Sequence, residues 1–196
     1  MSQRWVIASS NHHKVKEFQQ ILEPLGVQLV TPSELNLSLD VEESGQTFAA
    51  NAELKARAWA AATGLPAVAD DSGLEIDALG GAPGVYSARY AGPAAGDSAN
   101  NARMVRELQA LGRTGSTARY RCAIALVDTT RTPDLVMVDG CLEGHVVTSA
   151  AGGGGFGYDP YFVMPDGRHL AQWTADEKNA VSHRGQALRA LLKALA

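Results

Sequence analysis

The chain has 196 residues, 45% of them hydrophobic and 19% charged, and a formal net charge of -4. That apolar fraction supplies a sizeable core and argues against disorder. A mildly acidic balance with no basic run gives nothing that would track a nucleic-acid backbone, so no nucleic-acid partner is expected. The length fits one domain over residues 1–196, with room for two lobes. No apolar run reaches membrane-spanning length, and MSQRWVIASS has too short an apolar stretch for a signal peptide. Cys122 and Cys141 lack CxxC spacing and read as buried free thiols of a reducing compartment, with a single disulfide as the alternative, so a soluble cytoplasmic protein without a membrane partner is expected.

Arg4 to Ala8 reads as a buried strand. Ser9-Ser10-Asn11 then offers capping side chains before a helix with Val15, Phe18, Ile21, Leu22 and Leu25 on one face; Gly26 ends it, and Val27 to Val30 is a second strand. Such a junction aims helix N–H groups beyond the strand, which favours an anion, and Lys14 adds a cation. His12 and His13 read as solvent-facing. Thr31 to Gln46 is loop-like and carries the acidic patch Asp40, Glu42 and Glu43. Thr47 caps a second helix with Phe48, Ala52, Trp59 and Ala62 at roughly helical spacing, stopped at Gly64-Leu65-Pro66. Asn51 and Lys55 share a face of it, either as a surface pair or with the lysine directed into a cleft.

Ala67-Val68-Ala69 is a short apolar strand delivering Asp70 and Asp71 to its end, where Ser72-Gly73 reads as a sharp turn. Acids there are costly unless water, a cation or hydrogen-bond donors meet them. Gly80-Gly81-Ala82-Pro83-Gly84 and Ser87-Ala88-Arg89-Tyr90 follow. Carboxylates, a hydroxyl, backbone N–H groups and a guanidinium in one segment suggest a metal-plus-phosphate site, against the plainer reading of a solvated, self-capped loop. Leu74 to Leu79 alternates as a half-buried strand, and Asp97 opens a third helix through Met104, Val105, Leu108 and Leu111. Ala118–Val127 and Leu135–Leu142 read as long strands of an antiparallel hairpin, so the fold expected is α/β around a mixed sheet.

Gly152 to Gly157 formally contains GxGxxG, but Tyr158-Asp159-Pro160-Tyr161-Phe162 follows it where a dinucleotide fingerprint needs a helix. A P-loop fails as well, since no Gly-Lys-Ser/Thr closes the run. What remains is a loop that approaches a ligand closely while Phe156 and Tyr158 offer aromatic faces; stacking of a base on an aromatic ring is worth about 1–3 kcal/mol. Core aromatics beside a glycine-rich turn are the alternative. Asp71-Ser72-Gly73 also has the look of an aspartic-protease motif, which needs a second copy that only a homodimer would supply. Thr174 and Glu177 have capping-box spacing, Ser182-His183-Arg184-Gly185 follows, and a last helix carries Ala187, Leu188, Leu191, Leu192 and Leu195.

Five blocks taken together resemble the inosine/xanthosine triphosphate pyrophosphatases, in their bacterial dITP/XTP branch. They are SSNHHK at 9–14, EESGQTFAANAELKA at 42–56, ADDSGLEIDALGGAPGVYSARYAG at 69–92, GGGGFGYDPYF at 152–162 and EKNAVSHRGQAL at 177–188. The resemblance implies a two-lobed α/β fold around a long bent mixed sheet flanked by helices, with the active-site cleft between lobes, and a homodimer. It implies Mg²⁺-dependent hydrolysis of deaminated purine nucleoside triphosphates to the monophosphate plus pyrophosphate, with one Mg²⁺ per subunit. By the same resemblance Ser9, Ser10, Asn11, His12, His13 and Lys14 hold the triphosphate. Asp71 is metal ligand and general base, with Ser72 beside the substrate. Phe156, Gly157, Tyr158 and Asp159 line the nucleoside pocket, while Lys178, His183 and Arg184 reach the base. Many relatives have Thr-Gly-Asn where this chain has Ser9-Ser10-Asn11.

The residue chemistry points the same way. Mg²⁺ is held through one or two carboxylates plus substrate phosphates, and the candidates are Asp71, Glu43 or Glu42, and Asp70 in support. Lys14, Lys55 and the first helix N-terminus suit a leaving pyrophosphate. Donors from Arg184, Lys178 or loop N–H groups suit the carbonyl at position 6 of hypoxanthine or xanthine, where adenine has an amino group. A nucleotide-binding module without catalysis is the competing reading, which the clustered carboxylates disfavour.

Overall fold

The computed structural model describes residues 3–195, the side chain of His13 excepted, so the expectation placed on that side chain lies outside the described residues. Among the described residues six strands form one sheet in the order β2-β1-β3-β4-β5-β6. They are β1 (Arg4–Ile7), β2 (Gln28–Val30), β3 (Ala67–Ile76), β4 (Gly115–Val127), β5 (Leu135–Val147) and β6 (Phe162–Val163). Five α-helices accompany them among the described residues: α1 (His12–Leu22), α2 (Phe48–Thr63), α3 (Asp97–Ala110), α4 (Ala175–Val181) and α5 (His183–Leu195). The sheet is mixed, as expected: β1 runs parallel to β2 and β3, and β6 antiparallel to β5. Asp128 donates to the Asp134 carbonyl at one end of the β4–β5 connection, and Thr148 to the Thr114 carbonyl at the other, the pairing of a hairpin. No helix among the described residues is long and apolar enough to cross a membrane.

The chain divides into two compact units. The first comprises Met1–Asp71, Cys122–Gly140 and His183–Ala196. Its strands are buried on both faces, and alternation decides which residue goes where. Trp5, Ile7, Val68, Cys122, Ile124 and Leu126 pack toward α1 and α5, against Phe18, Leu22, Leu188 and Leu191. Val6, Ala8, Ala67, Ala69, Ala123 and Ala125 pack toward α2, against Ala52, Ala56 and Trp59. The small residues on that second face let α2 lie close.

The second unit comprises Ser72–Arg121 and Cys141–Ser182. Leu74, Ile76, Ala118, Tyr120, Leu142 and Phe162 share a core with Met104 and Leu108 of α3. The alternate positions are polar: Arg119 pairs with Asp77 and Glu143 at 2.9 and 3.1 Å. One-sided burial explains why these strands alternate while those of the first unit do not.

The expected turn at Ser72-Gly73 does not exist. β3 continues from Ala67 to Ile76, so the two apolar runs are one strand with the carboxylates in its middle. Gly73 serves close approach instead: a Cβ there would strike the Ser87 hydroxyl and the Gly84 carbonyl. Ser87 uses that proximity, accepting from the Leu74 N–H at 2.9 Å and donating to the Gly84 carbonyl at 2.6 Å. The extended run expected from Pro160 is also shorter, since Asp159–Tyr161 forms a 3₁₀ turn before the two residues of β6.

Candidate active site

Because β3 runs straight, Asp70 and Asp71 point to opposite faces. Asp70 faces α1 and α5. Its Oδ2 takes Lys14 Nζ at 3.0 Å and Arg184 Nε at 3.1 Å, with the Cys122 thiol 4.0 Å away. The second arm of Arg184 reaches Glu17 at 2.7 Å. Lys14 and Glu17 lie one turn apart on α1, so the four groups alternate in charge and balance. Burial by itself would raise the Asp70 pKa, but Lys14 and Arg184 outweigh it and hold the carboxyl well below its usual range. Arg184, only 2% exposed, stays charged because Asp70 and Glu17 compensate its desolvation.

Asp71 faces α2. Its Oδ2 accepts from Asn51 Nδ2 at 3.0 Å, and Lys55 Nζ stands 3.7 Å from its Oδ1. Lys55 also donates to Glu43 at 2.6 Å. Asn51 is fully buried, and its oxygen accepts from the Gly45 N–H at 2.8 Å, so one amide fixes both Asp71 and the segment bearing Glu43. Along that segment exposure alternates, with Glu43 half-buried and Glu42 exposed. Burial, with Glu43 adding to it, raises the Asp71 pKa above the ordinary carboxylate value, although Lys55 and Asn51 oppose the shift. For Lys55 burial works against the charge, and Asp71, Asp70 and Glu43 overcome it to raise its pKa. Two carboxylates therefore converge on one ammonium, an excess of one negative charge.

Asn11 caps α1 as its sequence suggested, its side chain accepting from the Lys14 N–H at 3.3 Å while Ser9 Oγ accepts from Asn11. Ser9, Ser10 and Lys55 line an open cavity of about 250 Å³ together with Ser38, Asp40 and Trp59. His12 is exposed and His183 buried. A Cβ at Gly140 of β5 would run into the His183 carbonyl and the Ala187 N–H, so that glycine sets how closely α5 begins against the sheet.

In the second unit, buried Asp159 accepts from the Phe156 N–H at 2.9 Å, Tyr120 OH at 3.2 Å and Lys178 Nζ at 2.5 Å. The Lys178 ammonium also lies 4.4 Å from the centre of the Phe156 ring, a cation–π contact. Phe156 is half-buried, whereas Tyr158 is 4% exposed with its hydroxyl donating to the Ser87 carbonyl at 2.8 Å. Of the two aromatics in the glycine-rich loop, only Phe156 keeps a partly open ring. Gly155 and Gly157 have φ of 73° and 63°, which glycine adopts freely. Ser72 begins this unit, half-buried on β3. Arg89 stacks 5.4 Å from the ring of Tyr86. The structure adds Glu17 and Tyr120 to the residues the sequence singled out, and gives Asn51, read there as sharing a helix face with Lys55, a direct bond to Asp71. The i, i+3 spacing of Glu17 with Lys14 was the one local signal for Glu17.

A mixed α/β sheet bearing a buried acid–lysine constellation defines the class, and comparison with known proteins supplies the family. Residues 5–194 match the Ham1 family, to which this chain belongs. It is 45% identical over 194 residues, 98% of each chain, to the dITP/XTP pyrophosphatase of Salmonella paratyphi A. With the dITP/XTP pyrophosphatase of Bacillus subtilis it shares 45% identity over 97% of this chain and 96% of that one. The structure of a HAM1 protein from Coxiella burnetii superposes with a TM-score of 0.91 at 42% identity, covering 98% of both chains. The dITP/XTP pyrophosphatase structure from Mycobacterium abscessus gives 0.77 at 42% identity, covering 97% of this chain and 99% of that one.

Proposed function

We propose that this chain hydrolyses deaminated purine nucleoside triphosphates (dITP or ITP, XTP or dXTP) to the monophosphate and pyrophosphate, and so clears them from the nucleotide pool. Full-length identity of 45% to dITP/XTP pyrophosphatases supports the enzyme class of nucleoside-triphosphate pyrophosphatase. The observation that carries the chemistry is Asp71, a buried carboxyl of raised basicity beside Lys55, Glu43 and Asn51. A base at that position takes a proton from water as the water oxygen bonds to the α-phosphorus. The bond from that phosphorus to the bridging oxygen breaks, and pyrophosphate leaves with the bonding pair. Lys14 and Lys55 are the ammonium groups that suit the charge of the leaving group.

The donor set fits a divalent cation: Glu43 and Asp71 are hard oxygen ligands that already converge on one positive charge and retain a negative excess. Those two residues would hold Mg²⁺, which neutralises phosphate charge when bound. Among the described residues no three His, Cys, Asp or Glu groups gather, so the remaining ligands would be substrate phosphate oxygens and water. In the second unit, the Phe156 ring suits a purine face, and Lys178, held by Asp159, suits the carbonyl at position 6. A cytoplasmic homodimer follows from the family resemblance.

A nucleotide panel assayed for pyrophosphate with and without Mg²⁺ tests this reading. Release of pyrophosphate from dITP and XTP, abolished by EDTA and nearly absent with ATP and GTP, is expected. Release of orthophosphate, or tight dITP binding without any product, would overturn it.

A further inference from the structure

The glycine-rich loop presenting Phe156 is clamped by α3. The Gly157 N–H donates to Asp97 Oδ2 at 2.6 Å, and the Gly157 carbonyl accepts from Asn101 Nδ2 at 2.9 Å. Asp97 and Asn101 stand at i and i+4 of α3, one above the other on the same face. Both backbone groups of one residue are thus taken by two side chains of a single rigid helix. Gly157 is in the left-handed region and follows four consecutive glycines and Phe156; Asp159 holds both backbone groups of Phe156 from within the stretch, and α3 adds a hold on Gly157 from outside it. A run of that composition has many conformations to lose on ordering.

The Asn101 amide shows what the position is for. To donate to the Gly157 carbonyl it must turn its own oxygen elsewhere, and that oxygen is buried without a hydrogen-bond partner. An orphaned buried acceptor is unfavourable for folding. Gly157 itself is only half-buried, so water would satisfy its carbonyl if Asn101 were apolar. Stability alone therefore does not call for asparagine here.

We infer that Asp97 and Asn101 are positioning residues that hold Gly157, and through it the ring of Phe156, ready for the purine. This rests on the reading of Phe156 as the stacking face. A loop ordered before binding spares the complex that ordering cost, so loss of the clamp weakens nucleotide binding and leaves the chemical step alone.

The test compares Asp97→Ala, Asp97→Asn, Asn101→Leu and the double variant Asp97→Ala/Asn101→Leu. Three quantities are measured: kcat and KM on dITP, the Kd for dIMP by calorimetry, and amide exchange at Gly157 without nucleotide. The double variant should raise KM and Kd about tenfold, equivalent to about 1.4 kcal/mol, with kcat within about twofold and faster exchange at Gly157. Asp97→Asn keeps an acceptor but loses the charge at the helix start, so it should behave as wild type. If Asp97→Asn fails as badly as Asp97→Ala, helix-terminus charge is responsible and the clamp is wrong. Unchanged KM and Kd in the double variant, with or without a lower Tm, also overturn it. A wild-type protein that neither binds dIMP nor cleaves dITP defeats the functional reading, and faster Gly157 exchange in the variants would then show a clamp serving no purine.

Discussion

Asp70 and Asp71 are consecutive residues of β3 whose carboxylates serve opposite faces of the sheet. Asp70 is matched by Lys14 and Arg184, while Asp71 meets Asn51 and Lys55. One is a counter-ion with depressed basicity, the other a carboxyl with raised basicity. Identical side chains one residue apart thereby acquire opposite chemistry from their surroundings.

Asp71→Asn should lower kcat on dITP by roughly 10²–10⁴-fold, the range for loss of a general base. The fold should survive. The folded-state pKa of Asp71 is raised, so ionisation at neutral pH works against folding there, and a neutral amide removes that cost. Thermal unfolding should show Tm unchanged or higher, and wild-type turnover would remove Asp71 from the reaction.

In the metal-free protein the titration curve of the Asp71 carboxyl, followed by NMR, should have its limb above about 3.9, the ordinary aspartate value, because burial makes this carboxyl harder to ionise. Lys55→Met removes the strongest influence that favours the charged form, so the limb should move to still higher pH. A limb that stays in place would show that another group controls it.

Asp70 should govern acid stability. Its folded-state pKa is lowered, so its contribution is present above the unfolded value of about 3.9 and is lost as pH falls through the folded value. In urea titrations across acidic pH, Asp70→Asn should flatten the fall in stability. A slope equal to wild type would mean that other carboxylates dominate.

Arg184→Ala would leave buried Asp70 with Lys14 as its remaining cation and take the guanidinium from half-buried Glu17, and should cost about 3–5 kcal/mol in chemical denaturation. Adding Asp70→Asn should recover part of the loss, since it removes one uncompensated charge. Additive losses would show that the pair is not coupled.

Gly73→Ala should destabilise by about 1–3 kcal/mol through overpacking against Ser87 and the Gly84 carbonyl. Combining it with Ser87→Ala should restore only part of this, because the carbonyl remains. Full tolerance of the alanine would contradict the close approach.

Local patterns in the chain were enough for β1, β2 and the β4–β5 hairpin, the caps at Asn11, Thr47 and Thr174, and the mixed character of the sheet. They report neighbours within a turn or two, and those rules were obeyed. The Ser72-Gly73 turn was misread because glycine signals both a bend and a close approach, and only the distant Ser87 and Gly84 distinguish them. The same limit hid the partition of the two aspartates, since their fates depend on whether the strand continues.

By itself the sequence determined the unbroken apolar runs that suit burial on both faces and the alternating run that suits burial on one, together with the set of residue types needed for phosphate and purine chemistry. Tertiary structure decided which carboxyl has its pKa raised and which has it lowered. It brought Arg184, 114 residues along the chain, to Asp70, and Asn51, 20 residues away, to Asp71. Desolvation and pairing across such separations set the basicity of a buried acid, and no local spacing encodes them.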